Sequence, residues 1–92
     1  MNMKQKPATH RIHVFKALSR KGSDEILAYI LHNENVTFED LKSLLKESNL
    51  RSVLRLLMKA KLVKTRKKPD NKKYRLYELV DESLVIDLLE IV

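Results

Sequence analysis

The hydrophobic period of this chain changes twice, and those changes limit what it can fold into. Up to about Lys61, apolar residues recur every three or four positions. From Leu62 to Leu79 they alternate, and from Glu82 to Val92 the helical spacing returns. A period near 3.6 belongs to helices buried on one face, and a period of 2 belongs to strands. The expected fold class is therefore mainly α with a small β-hairpin.

Punctuation places the elements. Residues 1–10 have no periodicity and read as a mobile arm. Ile12, Val14, Phe15 and Leu18 share one side of a short helix from Arg11 to Ser19. After Gly22, Ser23 is expected to cap a second helix, with Asp24 and Glu25 in its first turn and Ile26, Leu27, Ile30 and Leu31 inward. Thr37 opens a third helix with Glu39 and Asp40 as a near capping box, burying Phe38, Leu41, Leu44 and Leu45. Ser48 or Asn49 is expected to cap a fourth, residues 49–61, with Leu50, Val53, Leu54, Leu57 and Met58 facing inward. Strands at Leu62–Arg66 and Lys73–Leu79 flank a Pro69-Asp70-Asn71 turn, and Asp81 caps a last helix, Glu82 to Val92.

Composition excludes several classes of function. A lone glycine rules out glycine-rich phosphate loops, and the absence of cysteine rules out disulfides and thiolate metal sites. With 43% hydrophobic and 34% charged residues the chain has the balance of a folded soluble domain. No apolar run approaches the ~18 residues of a membrane span, and no signal-peptide h-region opens the chain. A cytoplasmic, nucleoid-associated location is expected. His10 and His13 are three residues apart and His32 is distant, with no acid or thiol completing a ligand set. No nucleophile–base constellation has supporting context either. An enzyme, a metal site and a cofactor are all unexpected.

Charge is blocked along the chain. Residues 1–22 sum to +6, 23–50 to −4, 51–75 to +10 and 76–92 to −5. A chain that needed only solubility would intersperse its signs. A block of +10 is the footprint of a polyanion partner, since each neutralised phosphate releases condensed counterions. Aromatic content of 5% is too sparse for a single-strand stacking platform, which argues against RNA or single-stranded DNA as the main ligand; the basic block alone also fits a solvated face. Tyr74 and Tyr77, on a strand, are expected to pack on the core.

The apolar phrases carry a resemblance. Phe15-Lys16-Ala17-Leu18, Ile26-Leu27, Ile30-Leu31, Leu41, Leu44-Leu45, Val53-Leu54, Leu57, Ala60-Lys61-Leu62-Val63 and Tyr77-Glu78-Leu79-Val80-Asp81 together resemble winged helix-turn-helix transcription regulators. The ArsR-like branch is the nearest. The resemblance implies a winged helix-turn-helix domain over 11–81, with a C-terminal helix over 82–92. Such domains usually carry glycine where this chain has Lys61, so the helix before the hairpin is expected to end without the easy left-handed residue. The metal-sensing members carry cysteine pairs, which this chain lacks.

In a helix-turn-helix the second helix enters the major groove and the wing touches backbone or minor groove. The resemblance thus makes helix 49–61 the reader of bases, through Asn49, Arg51, Ser52 and Arg55. Arg51 is read as lying in the first turn, where a cation opposes the helix dipole. Lys59 and the wing residues Lys64, Arg66, Lys67, Lys68, Lys72, Lys73 and Arg75, within 64–75, are expected on the DNA backbone.

The last helix carries more apolar surface than a single packing stripe requires. Leu84, Val85, Leu88, Leu89, Ile91 and Val92 are expected to form a homodimer interface, placing two recognition helices about 34 Å apart. The expected function is a homodimeric, sequence-specific transcription regulator. A protein-docking winged helix and a non-specific architectural DNA binder are the alternatives.

Overall fold

In chain order the elements are α1 (Gln5–Leu18), α2 (Ser23–His32), α3 (Phe38–Lys42), α4 (Glu47–Lys59), β1 (Val63–Lys68), β2 (Asn71–Leu79) and α5 (Glu82–Ile91). The structure, a computed structural model, describes residues 5–68 and 71–91, and side chains over 11–67 and 75–90. Its core joins every element: Ala17, Ile26, Leu27, Leu41, Leu50, Val53, Leu57, Leu62, Val63, Leu76 and Val85 are all buried.

The first helix begins at Gln5, within the segment expected as an arm. Pro7 lies in its first turn, where a missing N–H breaks no hydrogen bond. The packed stripe of α1 is Val14, Ala17 and Leu18, spaced i, i+3, i+4. Small Ala17 lets the helix lie close on α2 and α4. This rotation turns two residues expected inside outward: Ile12 is 53% exposed and Phe15 75%.

Gly22, and not Ser23, stands at the N-cap of α2, in the left-handed region at φ 90°. Ser23 is the first helical residue and is buried, and its hydroxyl donates to the Leu18 carbonyl at 3.2 Å. A glycine is required at this turn for a second reason. A Cβ on Gly22 would stand 2.5 Å from Leu45 Cδ2.

The capping box of α3 is complete. Thr37 Oγ1 accepts from the Asp40 N–H at 3.2 Å, and Asp40 Oδ2 accepts from the Thr37 N–H at 2.9 Å. By contrast α4 starts earlier than expected. Its N-cap is Lys46, which makes no side-chain cap bond, so neither Ser48 nor Asn49 caps it. Glu47 in the first turn supplies the negative charge that the helix dipole favours. Met58, expected inside, is exposed.

At its C-terminus α4 takes the left-handed exit without a glycine: Lys61 has φ 63°. The Leu62 N–H donates to Leu57 O at 3.0 Å and the Lys61 N–H donates to Met58 O at 3.1 Å. Those two bonds are a Schellman motif, and burial of Leu62 seals it.

The antiparallel hairpin pairs Val63 with Leu79, Thr65 with Tyr77 and Lys67 with Arg75, with an irregularity between Lys67 and Lys68. Both strands run further than expected, to Lys68 and from Asn71. Of the expected turn, Asn71 belongs to β2, and Pro69 and Asp70 lie outside the described residues. On the inner edge, the Tyr77 N–H donates to Val36 O at 2.8 Å, forming a one-residue bridge that periodicity did not reveal.

Asp81 caps α5, its Oδ1 accepting from the Leu84 N–H at 3.2 Å. The helix packs on α2. Val85 is fully buried and Leu84, Leu88 and Leu89 pack on the core, so most of the expected dimer stripe is used within the chain. Val85 therefore has no surface left to offer a second copy. The exposed apolar residue of α5 is Ile86, at 42%. The side chains of Ile91 and Val92 lie outside the described residues. No described helix is long and apolar enough to cross a membrane.

Candidate nucleic-acid interface

Once Leu50, Val53, Leu54 and Leu57 bury one side of α4, Arg51, Arg55, Met58 and Lys59 lie on its exposed side. At 1.5 Å per residue, Arg51 and Lys59 are separated by roughly 12 Å along the axis. The four residues expected to read bases are placed differently. Arg55 is exposed, and among the described residues it has no ion pair. The Ser52 hydroxyl donates to the Ser48 carbonyl at 3.3 Å, and Asn49 is half-buried.

Arg51 is held. Its Nε and Nη2 donate to Glu47 Oε2 at 3.2 and 2.7 Å, and its guanidinium lies 4.9 Å from the centroid of the Phe38 ring. Because α4 begins at Glu47, Arg51 stands in the second turn, and the expected conflict with the helix dipole is absent. An acid at i and an arginine at i+4 form a supporting pair. Bonding to Arg51, then its charge, holds the Glu47 carboxyl below the usual carboxylate value; Lys42, 3.7 Å away, adds to this. Glu47 and Phe38 are functional neighbours that the sequence reading did not assign. The i, i+4 spacing of Glu47 and Arg51 was the available signal.

The wing follows the helix. Strand alternation puts Thr65, Tyr77, Lys67 and Arg75 on one face of the hairpin. Lys67 stands directly opposite Arg75, and like charges in register destabilise a ribbon. Lys64, Lys67 and Arg75 are exposed and make no ion pair with a described residue. Arg66 differs: its Nε donates to Glu78 Oε1 at 2.9 Å and its Nη2 to Asn35 Oδ1 at 3.4 Å, so its charge is committed inside the chain. The side chains of Lys68, Lys72 and Lys73 lie outside the described residues. Tyr77 is half-buried at the junction of helix and wing. Burial pushes its hydroxyl up in pKa, opposed by the Arg51 and Arg75 charges on either side.

Arg55 and Lys59 on α4 and Lys64, Lys67 and Arg75 on the hairpin thus make no ion pair with a described residue, and they lie on the two elements that a winged helix presents to nucleic acid. Among the described residues, no group of three His, Asp or Glu side chains could hold a metal ion.

A comparison with curated proteins gives no match. Residues 12–90 match the profile of the TFIIE alpha subunit family. The winged-helix part of the expected resemblance stands, and the match does not extend to the ArsR-like branch. Since the matched segment runs from α1 through α5 and takes in the recognition helix, the wing and the final helix, the chain belongs to the TFIIE alpha subunit family, as a transcription-related winged-helix module.

Proposed function

We propose that the chain binds double-stranded DNA as a sequence-specific, homodimeric transcription regulator, with α4 in the major groove and the wing, residues 64–75, on the backbone or minor groove. The observation that supports this best is the cross-strand pair Lys67–Arg75. Two like charges in register cost stability in the free protein and are relieved by a phosphate. Arg55 presents a complete guanidinium fork from the middle of α4, suited to guanine O6 and N7. Arg51 offers less, since one edge of its fork is taken by Glu47. Asn49 and Ser52 are secondary readers, and Lys59, Lys64, Lys67 and Arg75 hold phosphates. Arg66, tied to Glu78, is a weak member of that set. The regulator part of this reading follows from the winged helix-turn-helix resemblance, and the homodimer part from the apolar surplus of the last helix.

The test compares two variants on selected and random duplexes at two salt concentrations. Arg55→Ala is expected to cost ~1–3 kcal/mol on the selected sequence and to relax its preference. Lys67→Ala is expected to weaken all sequences alike and to lower the salt slope by about one. Equal losses on every sequence for both variants would shift the role to an architectural one. No binding at low salt would end the DNA reading.

A second reading is docking of the winged helix into a larger protein complex. The exposure of Phe15 favours it, and so does the family description as a subunit. Recovery of a stoichiometric protein partner, with no DNA affinity, would establish it.

A further inference from the structure

The strongest unexplained feature is the outer face of α1. Phe15 and Ile12 stand out of the core, flanked by exposed Arg11 and Lys16, with Arg20 and Lys21 just beyond the helix. A large aromatic left 75% exposed forgoes much of the stabilisation that burial would supply. A site of the opposite character lies on the same chain. A groove of about 520 Å³ runs between the end of α2 and α5, lined by Leu31, His32, Ile86, Leu89 and Glu90. Glu90 is its acidic lining residue; along α5, Glu82, Ile86 and Glu90 form an i, i+4, i+8 stripe with Asp87 beside it, all exposed.

The two sites are complementary in charge. Among the described residues, none of Arg11, Lys16, Arg20 and Lys21 pairs with Glu82, Asp87 or Glu90. The basic knob and the acid-rimmed groove therefore each lack a partner in the monomer. Both α1 and α5 rest on α2. A twofold axis beside α2 would set each α1 against the α5 of the other copy, and the contact is then made twice. A knob and a groove carried by one chain, with matched opposite charge, favour a second copy over an unrelated protein.

We propose that the homodimer is built from reciprocal α1–α5 contacts, with Phe15 of one copy seated in the Leu31–Ile86–Leu89 groove of the other. This rests on the homodimer reading above and relocates its interface: α5 contributes its outer stripe, Glu82–Ile86–Glu90, and not the core-facing residues first expected. The recognition face of α4 takes no part in the contact.

Sedimentation velocity over micromolar concentrations tests it with the full chain. Phe15→Ser removes an exposed side chain, so circular dichroism is expected to stay unchanged while the dimer dissociation constant rises roughly 1,000-fold, since a buried aromatic anchor of about 30-fold is lost at both reciprocal contacts. Lys16→Glu and Glu90→Lys are each expected to weaken self-association. Mixing those two single variants is expected to restore a dimer, because every α1–α5 contact in the mixed pair regains opposite charges. A chain that stays monomeric, a dimer indifferent to Phe15→Ser, or a mixture without rescue would each overturn the interface. Arg55-dependent DNA binding is read on the same samples. Its persistence in a monomeric chain would remove the interface and leave the DNA reading standing, and its loss in an intact dimer would do the reverse.

Discussion

Gly22 is the residue whose replacement tests the packing of this domain most sharply. It holds φ 90° between α1 and α2, and the Cβ of an alanine there would lie 2.5 Å from Leu45 Cδ2 and 2.8 Å from Cδ1. Left-handed backbone costs a residue with a Cβ about 1–2 kcal/mol. Leu45 is a half-buried side chain that can give way, and pushing it off its rotamer adds about 0.5–1.5 kcal/mol. Against these, alanine restricts the unfolded chain and returns roughly 0.4–1 kcal/mol. Gly22→Ala is therefore expected to destabilise the domain by about 2 kcal/mol, lowering the thermal midpoint by roughly 8–16 °C for a chain of this size. Urea unfolding followed at 222 nm gives the free energy, and a cycle with Leu45→Ala separates the two causes. In the Leu45→Ala background the glycine substitution is expected to cost about 1 kcal/mol less, because only the backbone strain remains. A Gly22→Ala variant within about 0.5 kcal/mol of the parent would refute the left-handed turn. Equal costs in both backgrounds would refute the contact with Leu45.

Three further outcomes follow from the same geometry. Lys61→Gly is expected to stabilise the chain by about 0.5–1 kcal/mol by relieving the left-handed lysine at the end of α4, while Lys61→Ala stays neutral; chemical denaturation checks both. Glu47, followed by NMR, is expected to titrate below 4.5 and to return towards that value in Arg51→Ala. Because its folded-state pKa is depressed, the ion pair contributes above the ordinary carboxylate range and is lost as pH falls through the lowered value, so protection at the start of α4 fades only in acid. Glu47→Gln is expected to strengthen DNA binding and steepen its salt dependence by about one phosphate, since Arg51 is released; an unchanged slope in a salt titration would contradict this.

The parts of this fold legible in the sequence are those set by local chemistry. Thr37 and Asp40 form their capping box because the two side chains lie three residues apart and need no distant partner. Asp81 caps α5 for the same reason. The apolar stripes of α2 and α4 were visible because Ile26, Leu27 and Ile30 on the one and Leu50, Val53, Leu54 and Leu57 on the other are buried together, and the hairpin was visible from its period of two. What escaped was decided by tertiary packing. Periodicity put Ile12 and Phe15 on the inner side of α1 with Val14 and Leu18, and the approach to α2 and α4 selected the face of Val14, Ala17 and Leu18 instead. Val36 is a single residue bonded to Tyr77 across 41 positions of sequence, too short to show any alternation. The surplus of apolar residues on α5 was correctly noticed, but Val85 and its neighbours were needed to complete a small core. At the site, Arg55 and Lys59 follow from a helical wheel, whereas the restraint on Arg51 required knowing that α4 begins at Glu47.

That restraint divides the basic surface by what a ligand must displace. A phosphate or base edge approaching Arg51 competes with a carboxylate at 2.7 Å and with the face of Phe38. At Arg55 it competes with no carboxylate of the described residues. Exposed ion pairs are weak, so Glu47 does not forbid contact at Arg51; it fixes the direction in which the guanidinium points and lowers its net charge. The cations left free, Arg55 and Lys59 on the helix and Lys64, Lys67 and Arg75 on the wing, lie on both elements expected to contact DNA. Counterion release at those positions would supply affinity for any duplex. Discrimination must then come from few groups: the fork of Arg55, and Arg51 in the single orientation that Glu47 and Phe38 allow. On the proposed reading, a domain arranged this way would bind DNA broadly and read it narrowly. On that arithmetic, Arg55 is the residue on which a choice between specific and architectural binding turns.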